Sequence, residues 1–171
     1  GVCGKSADVA NLQDELTGAL IGLARVIGTG ESDAETDRLI LEGLFTTITN
    51  VNFNAATVQQ MTDRVHARKN ALKPGCSACA APCGSTDDYD MKQLWGAEEN
   101  VRSLKSLILF GIRGMAAYAY HAMVLGYTDA SVNRFFYKAL CYLGEDYGMD
   151  ELLPVVLEVG EANLNCMALL D

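Results

Sequence analysis

Proline is scarce, with three in 171 residues, too few for a linker-rich or polyproline protein. Basic residues are in the minority. Thirteen Lys and Arg stand against 22 Asp and Glu, for a formal net charge of −9. Such a surface does not coat phosphates, so nucleic acid is excluded as an expected partner. Docking on an anionic membrane is disfavoured for the same reason. Gly1 to Asn11 has no apolar h-region, so no signal peptide is expected. No alternating strand with a hairpin turn is found. The most β-like run, Thr46 to Phe53, is short and fits a helix end crossing into a loop. Phosphate-cradling Gly-rich loops, a Gly-x-Ser-x-Gly elbow and a His-Glu-x-x-His helix are also missing.

What is present is helical periodicity. Half of the residues are apolar and one fifth charged, a globular composition, and a chain of this length buries roughly 70% of its unfolded surface. Leu12, Leu16, Ala19, Leu20, Leu23 and Ile27 fall on one helix face, as do Val101, Leu104, Ile108, Ile112, Met115 and Ala119. Shorter helices are marked by Leu41, Leu44, Phe45 and Ile48, and by Val58, Met61, Val65 and Leu72. A last one runs from Leu152 to Met167. Asn54 and Asp150 are expected N-caps, and Gly28, Gly30 and Gly126 expected helix stops. The most apolar stretch, Ser106 to Tyr127, carries Arg113 near its middle. A charge there costs about 3 kcal/mol in lipid, so a buried helix of a soluble protein is expected rather than a membrane span.

Pro74-Gly75, Pro82 and Gly84-Ser85 break the chain in its middle. The halves on either side resemble each other. At an offset of 92, Leu20 meets Ile112, Gly22 meets Gly114 and Ala24 meets Ala116. Further on the offset is 96, with Leu44 meeting Leu140 and Asn54 meeting Asp150. The expected fold is therefore all-α: a three-helix bundle over 1–72, a linker over 73–97 containing Cys, Pro and Gly, and a second three-helix bundle over 98–171. Gly18 and Gly22 in one long helix, and Gly111 and Gly114 in the other, are expected to admit another backbone. Glycine inside a helix costs about 1 kcal/mol relative to alanine, which close packing can offset.

Six cysteines without a secretory signal suit a reducing, cytoplasmic setting. Cys76, Cys79 and Cys83 have spacings that let three thiolates reach one metal or cluster, and Cys3 could supply a fourth sulfur if the N-terminus folds back. The plainer reading is a Cys-rich loop without metal. Cys141 and Cys166 sit on apolar helix faces and read as small hydrophobes. His66 and His121 lie on helices without a metal-spaced partner, and His121 reads as a hydrogen-bonded core or interface histidine. Asp87, Asp88 and Asp90 lack EF-hand spacing and read as a solvated loop.

Particular strings go further. Gly1-Val2-Cys3-Gly4-Lys5 followed by Asn11-Leu12-Gln13-Asp14 resembles the start of the hybrid cluster proteins, also called prismane proteins or hydroxylamine reductases. Gly43 to Phe53, Val101-Arg102-Ser103-Leu104, Ala116 to Gly126 and Met167 to Asp171 resemble the same family, in order, along the whole chain. The resemblance implies a longer polypeptide, in which a helical N-terminal domain of two three-helix bundles precedes two α/β domains. It implies reduction of hydroxylamine to ammonia and water, with nitric oxide also associated, and an electron donor protein. An N-terminal iron–sulfur cluster of four cysteines, [4Fe–4S] or related, would relay electrons to a hybrid iron–sulfur–oxygen cluster. Cys3 matches the last of those four cysteines. The hybrid-cluster ligands belong to the later domains, so no catalytic residue is expected in this segment, which would be scaffold and electron entry and inactive alone. Cys76, Cys79 and Cys83 match no cluster ligand of the family. The alternative is a free-standing helical metal-binding or interaction module using the linker cysteines.

Overall fold

Helix boundaries follow from local chemistry. The computed structural model describes residues 4–28, 30, 32–48, 53–72 and 87–170. They form seven helices and no strand: α1 (Ala7–Ile27), α2 (Ala34–Thr46), α3 (Ala55–Leu72), α4 (Met91–Trp95), α5 (Glu99–Val124), α6 (Ala130–Gly144) and α7 (Met149–Met167). Ser6, Asp33, Asn54, Asp90, Glu98 and Asp129 each accept a backbone N–H of the helix they precede, satisfying donors that have no partner inside the helix. Asn54 is thus the cap its position suggests. Asp150 is not: α7 begins at Met149 after Gly148, and Glu151 reaches back to accept the Gly148 N–H at 3.0 Å. Gly28 closes α1 at φ 56° and Gly126 follows α5 at φ 93°, a region open to glycine and strained for other residues.

The order of packing repeats between halves. α1 lies mainly along α3, and α5 mainly along α7. Each long helix then takes the second helix of the other half: α2 packs on α5, and α6 on α1. Two related three-helix units exchanging contacts about a two-fold axis would give this pattern. Corresponding polar residues also do corresponding work. Gln13 and Lys105 match at the offset of 92, and both are buried. Gln13 Nε2 donates to the Thr46 carbonyl at the end of α2, at 3.4 Å. Lys105 Nζ donates to the Leu143 and Glu145 carbonyls at the end of α6, at 3.1 and 2.7 Å. Each thus supplies donors to carbonyls left over where a helix ends.

One contiguous apolar core joins the halves. Leu16, Leu20 and Leu23 of α1 meet Ile40 and Leu44 of α2, Ile108, Ile112 and Met115 of α5, and Phe136 and Leu140 of α6. Polar ties cross the same boundary. Arg113 Nη2 donates to Thr17 Oγ1 at 3.0 Å. Tyr137 Oη and Asn133 Nδ2 donate to Asp37 at 2.6 and 2.9 Å. Arg25 donates to the Gly144 carbonyl and pairs with Glu145 at 3.5 Å. Among the described residues, α5 is long and apolar enough by length and composition to cross a membrane. Its apolar content is divided, with one side in the core and another exposed.

The segment read as linker departs from that reading at its end. Residues 73–86 lie outside the described residues, but Tyr89 lies along α1 and α4 contributes Met91 and Leu94 to the buried core. The Tyr89 N–H donates to the Gly18 carbonyl at 3.1 Å. A Cβ on Gly18 would collide with the Tyr89 carbonyl, and one on Gly22 would stand 3.1 Å from that of Asp87. These glycines do admit a backbone, that of the incoming segment rather than another helix. Gly111 instead meets the Val159 side chain, and Gly114 has nothing within 4 Å.

That contrast gives a paired expectation. Gly18→Ala should destabilise by about 1–3 kcal/mol through overpacking, despite the helix-propensity gain. Gly114→Ala should stabilise the isolated chain by up to about 1 kcal/mol. Urea unfolding of both variants measures the two signs.

Candidate functional site

The α1–α3 pair, closed by the 88–92 segment, leaves a groove of about 570 Å³. α1 contributes Asn11, Asp14 and Glu15, α3 contributes Gln59, Thr62 and His66, and the incoming segment supplies Asp88 to Lys92. α3 presents His66 and Lys69 one helical turn apart, so both side chains reach the same strip of surface. Asp88 meets them there, one carboxylate oxygen paired with Lys69 Nζ and the other 2.6 Å from His66 Nε2. The carboxylate solvates a lysine whose side chain is only 8% exposed. Burial pushes the Asp88 carboxyl up, but the hydrogen bonds from Lys69 and His66 outweigh it and hold it below the ordinary carboxylate range. The next carboxylate, Asp14, accepts from Trp95 Nε1 at 3.0 Å, and Asp90 caps α4.

Asp88 and Asp90 are exposed, as a solvated loop would be, and both also hold specific partners. Chemically, the Asp88 network locks the incoming segment onto α3. In the groove the Thr62 hydroxyl donates to the Val58 carbonyl at 3.1 Å. Among the described residues, no group of three or more His, Cys, Asp and Glu could hold a metal ion. Burial lowers Arg113 to about 10, with Asp14 opposing that shift, so it remains a cation at neutral pH.

The expected cluster ligand Cys3, and the linker thiols Cys76, Cys79 and Cys83, lie outside the described residues. The two described cysteines do not fit as cluster ligands. Cys166 is buried, donates to the Met115 carbonyl at 3.4 Å, and burial pushes its thiol up to about 11. Burial also raises Cys141. Both favour the neutral thiol over the thiolate that iron requires. His121 is exposed, with its ring edge-on to Phe45 and Tyr120 at 5.8 and 5.9 Å, rather than set in the core.

The Prismane/CO dehydrogenase family matches residues 1–171, the whole chain. The chain belongs to that family. Among its relatives, a protein named hydroxylamine reductase from Methanococcus vannielii is 38% identical over 191 aligned residues. Another of that name from Thermoanaerobacter pseudethanolicus is 38% identical over 192, and one from Desulfitobacterium hafniense 37% over 195. Each alignment covers all of this chain and 35% of the relative. The chain thus spans about a third of the length of these family members.

Sequence reasoning missed the Asp88–Lys69–His66 network. Its signal was available in part: His66 and Lys69 stand three apart on α3, and an acidic run follows the break. Nothing local pairs the two segments. Asp88→Asn should destabilise by about 1–2 kcal/mol at pH 7 by leaving the buried Lys69 cation poorly paired, a range kept low because Asp88 is 38% exposed. The Asp88 carboxyl is lowered in the fold, so its contribution is present above the unfolded value of about 3.9 and is lost as pH falls through the folded value. The gap between wild type and variant should therefore close on acidification. Urea titrations at pH 7 and below pH 4 measure it.

Proposed function

We propose that this chain is the N-terminal helical domain of a hydroxylamine reductase of the hybrid-cluster type, acting as scaffold on the side where electrons enter. The observation that carries this reading is full coverage of the chain by relatives named hydroxylamine reductase, at 37–38% identity and only 35% of their length. In this reading the remaining domains of the same polypeptide hold the hybrid cluster and bind hydroxylamine or nitric oxide. Cys3 holds one iron of an N-terminal iron–sulfur cluster fed by an electron donor protein. The clusters would supply the redox chemistry. The units over 1–72 and 98–171 serve as two bundles framing that assembly, in the cytoplasm, with no nucleic acid or membrane partner.

Two outcomes are expected. The 171-residue chain, freed of adventitious iron, should form no ammonia from hydroxylamine with a reduced viologen donor, and measurable turnover would contradict the assignment. In the intact polypeptide, Cys3→Ser exchanges a soft thiolate for a hydroxyl and should lower iron and sulfide content. Replacing Cys76, Cys79 and Cys83 together should leave that content unchanged. The reverse result would move the ligand set to the linker.

A further inference from the structure

Two apolar rows on α5 and α7 serve neither the core nor the groove. On α5 and at its C-cap, Leu107, Phe110, Tyr118 and Leu125 are exposed, Phe110 to 57%. At about 100° per residue they form one narrow stripe, set apart from the stripe of Ile108, Ile112 and Met115 that fills the core. On α7, Met149, Leu153, Leu157, Leu164 and Met167 form a second stripe, with Leu157 71% exposed.

Gly111 meets Val159, and Met115 meets Cys166. Position therefore advances in the same direction along both helices, so α5 and α7 run parallel. With that register, helical geometry turns both stripes to the same outer side of the pair. Each stripe also contains a glycine, Gly114 and Gly160, with nothing within 4 Å of its Cβ position. Glycine is unfavourable inside a helix, and among the described residues no neighbour uses the space it leaves.

We propose that this α5–α7 face is the docking surface for the part of the family polypeptide outside the matched region, a folded domain that lays an apolar, closely approaching surface over Gly114 and Gly160. The inference rests on the reading under Proposed function. Three observations favour this occupant. The relatives carry about two thirds of their length outside the match, so the family has a partner of suitable size. The helices are about 39 and 29 Å long and stand about 10 Å apart, giving a face on the order of 600 Å², the scale of an interface between domains of one chain. The chain also carries a net charge of −9, whereas helices that lie on anionic lipid are rich in Lys and Arg.

The test compares hydroxyl-radical footprints of the 171-residue chain and of a chimera in which it replaces the matched region of the Methanococcus vannielii relative. Labelling of Phe110 and Leu157 should fall several-fold in the chimera, while exposed Phe53, in the other half, stays unchanged. The double variant Phe110→Asp and Leu157→Asp, with the isolated chain shown folded by circular dichroism, should restore labelling of Leu107 and Leu153 in the chimera. A chimera that reduces hydroxylamine yet labels this face as strongly as the isolated chain overturns the docking proposal alone. A chimera that is inactive or insoluble overturns the domain reading and the docking proposal with it. Protection already present in the isolated chain, with a dimer by sedimentation that the double variant dissociates, assigns the face to a second copy. Protection by anionic vesicles but not in the chimera assigns it to lipid. Either of these last results overturns the proposal.

Discussion

Each long helix has to satisfy two bundles at once. α1 must bury one side against α3 of its own half and present another to α6, while α5 does the same with α7 and α2. An amphipathic helix with a single apolar stripe cannot do this. α1 accordingly has an unbroken buried run from Leu16 to Ala24, and its polar members are small or bonded: Thr17 donates to the Gln13 carbonyl and accepts from Arg113. The consequence is one core containing side chains from both halves. Neither three-helix unit can lose the other without exposing much of its own long helix.

The second half of the design is electrostatic and local. Each unit buries one long polar side chain, Gln13 or Lys105, against the end of its second helix. Burial disfavours the Lys105 cation, opposed by Asp146 and Glu145, and two carbonyls accept its hydrogen bonds. The chain entering α4 is held by different means. Its backbone bonds to Gly18, Asp88 pairs with Lys69 and His66, and Trp95 donates to Asp14. These contacts tie the incoming chain and both long helices into one packed unit.

Much of the architecture was legible because helical periodicity is a local signal. The runs Leu12 to Ile27 and Val101 to Ala119 fall within α1 and α5, and the match of Gln13 with Lys105 gives the offset of 92 a structural counterpart. What escaped was non-local or subtle. α4 is five residues long, too short for periodicity to mark. Asp88 finds Lys69 across a break that sequence spacing does not bridge. Gly148 serves as the start of α7 because Glu151 reaches back, where Asp150 offers the more obvious side chain. Gly18 and Gly114 look alike in sequence, and only packing shows one closed by backbone and the other open. The family resemblance rested on strings rather than geometry, and the whole-chain family match supports it. The thiols that carry its cluster expectations fall outside the described residues.

If the shared long helices make the two bundles one structure, they must unfold together. Trp95 is the sole tryptophan, half-buried between the halves, and reports the joint directly, while far-ultraviolet circular dichroism reports all helices. Urea unfolding followed by both signals is the decisive measurement. Coincident single transitions are predicted. Tryptophan fluorescence that changes at a separate, lower urea concentration while most helicity persists would contradict the account.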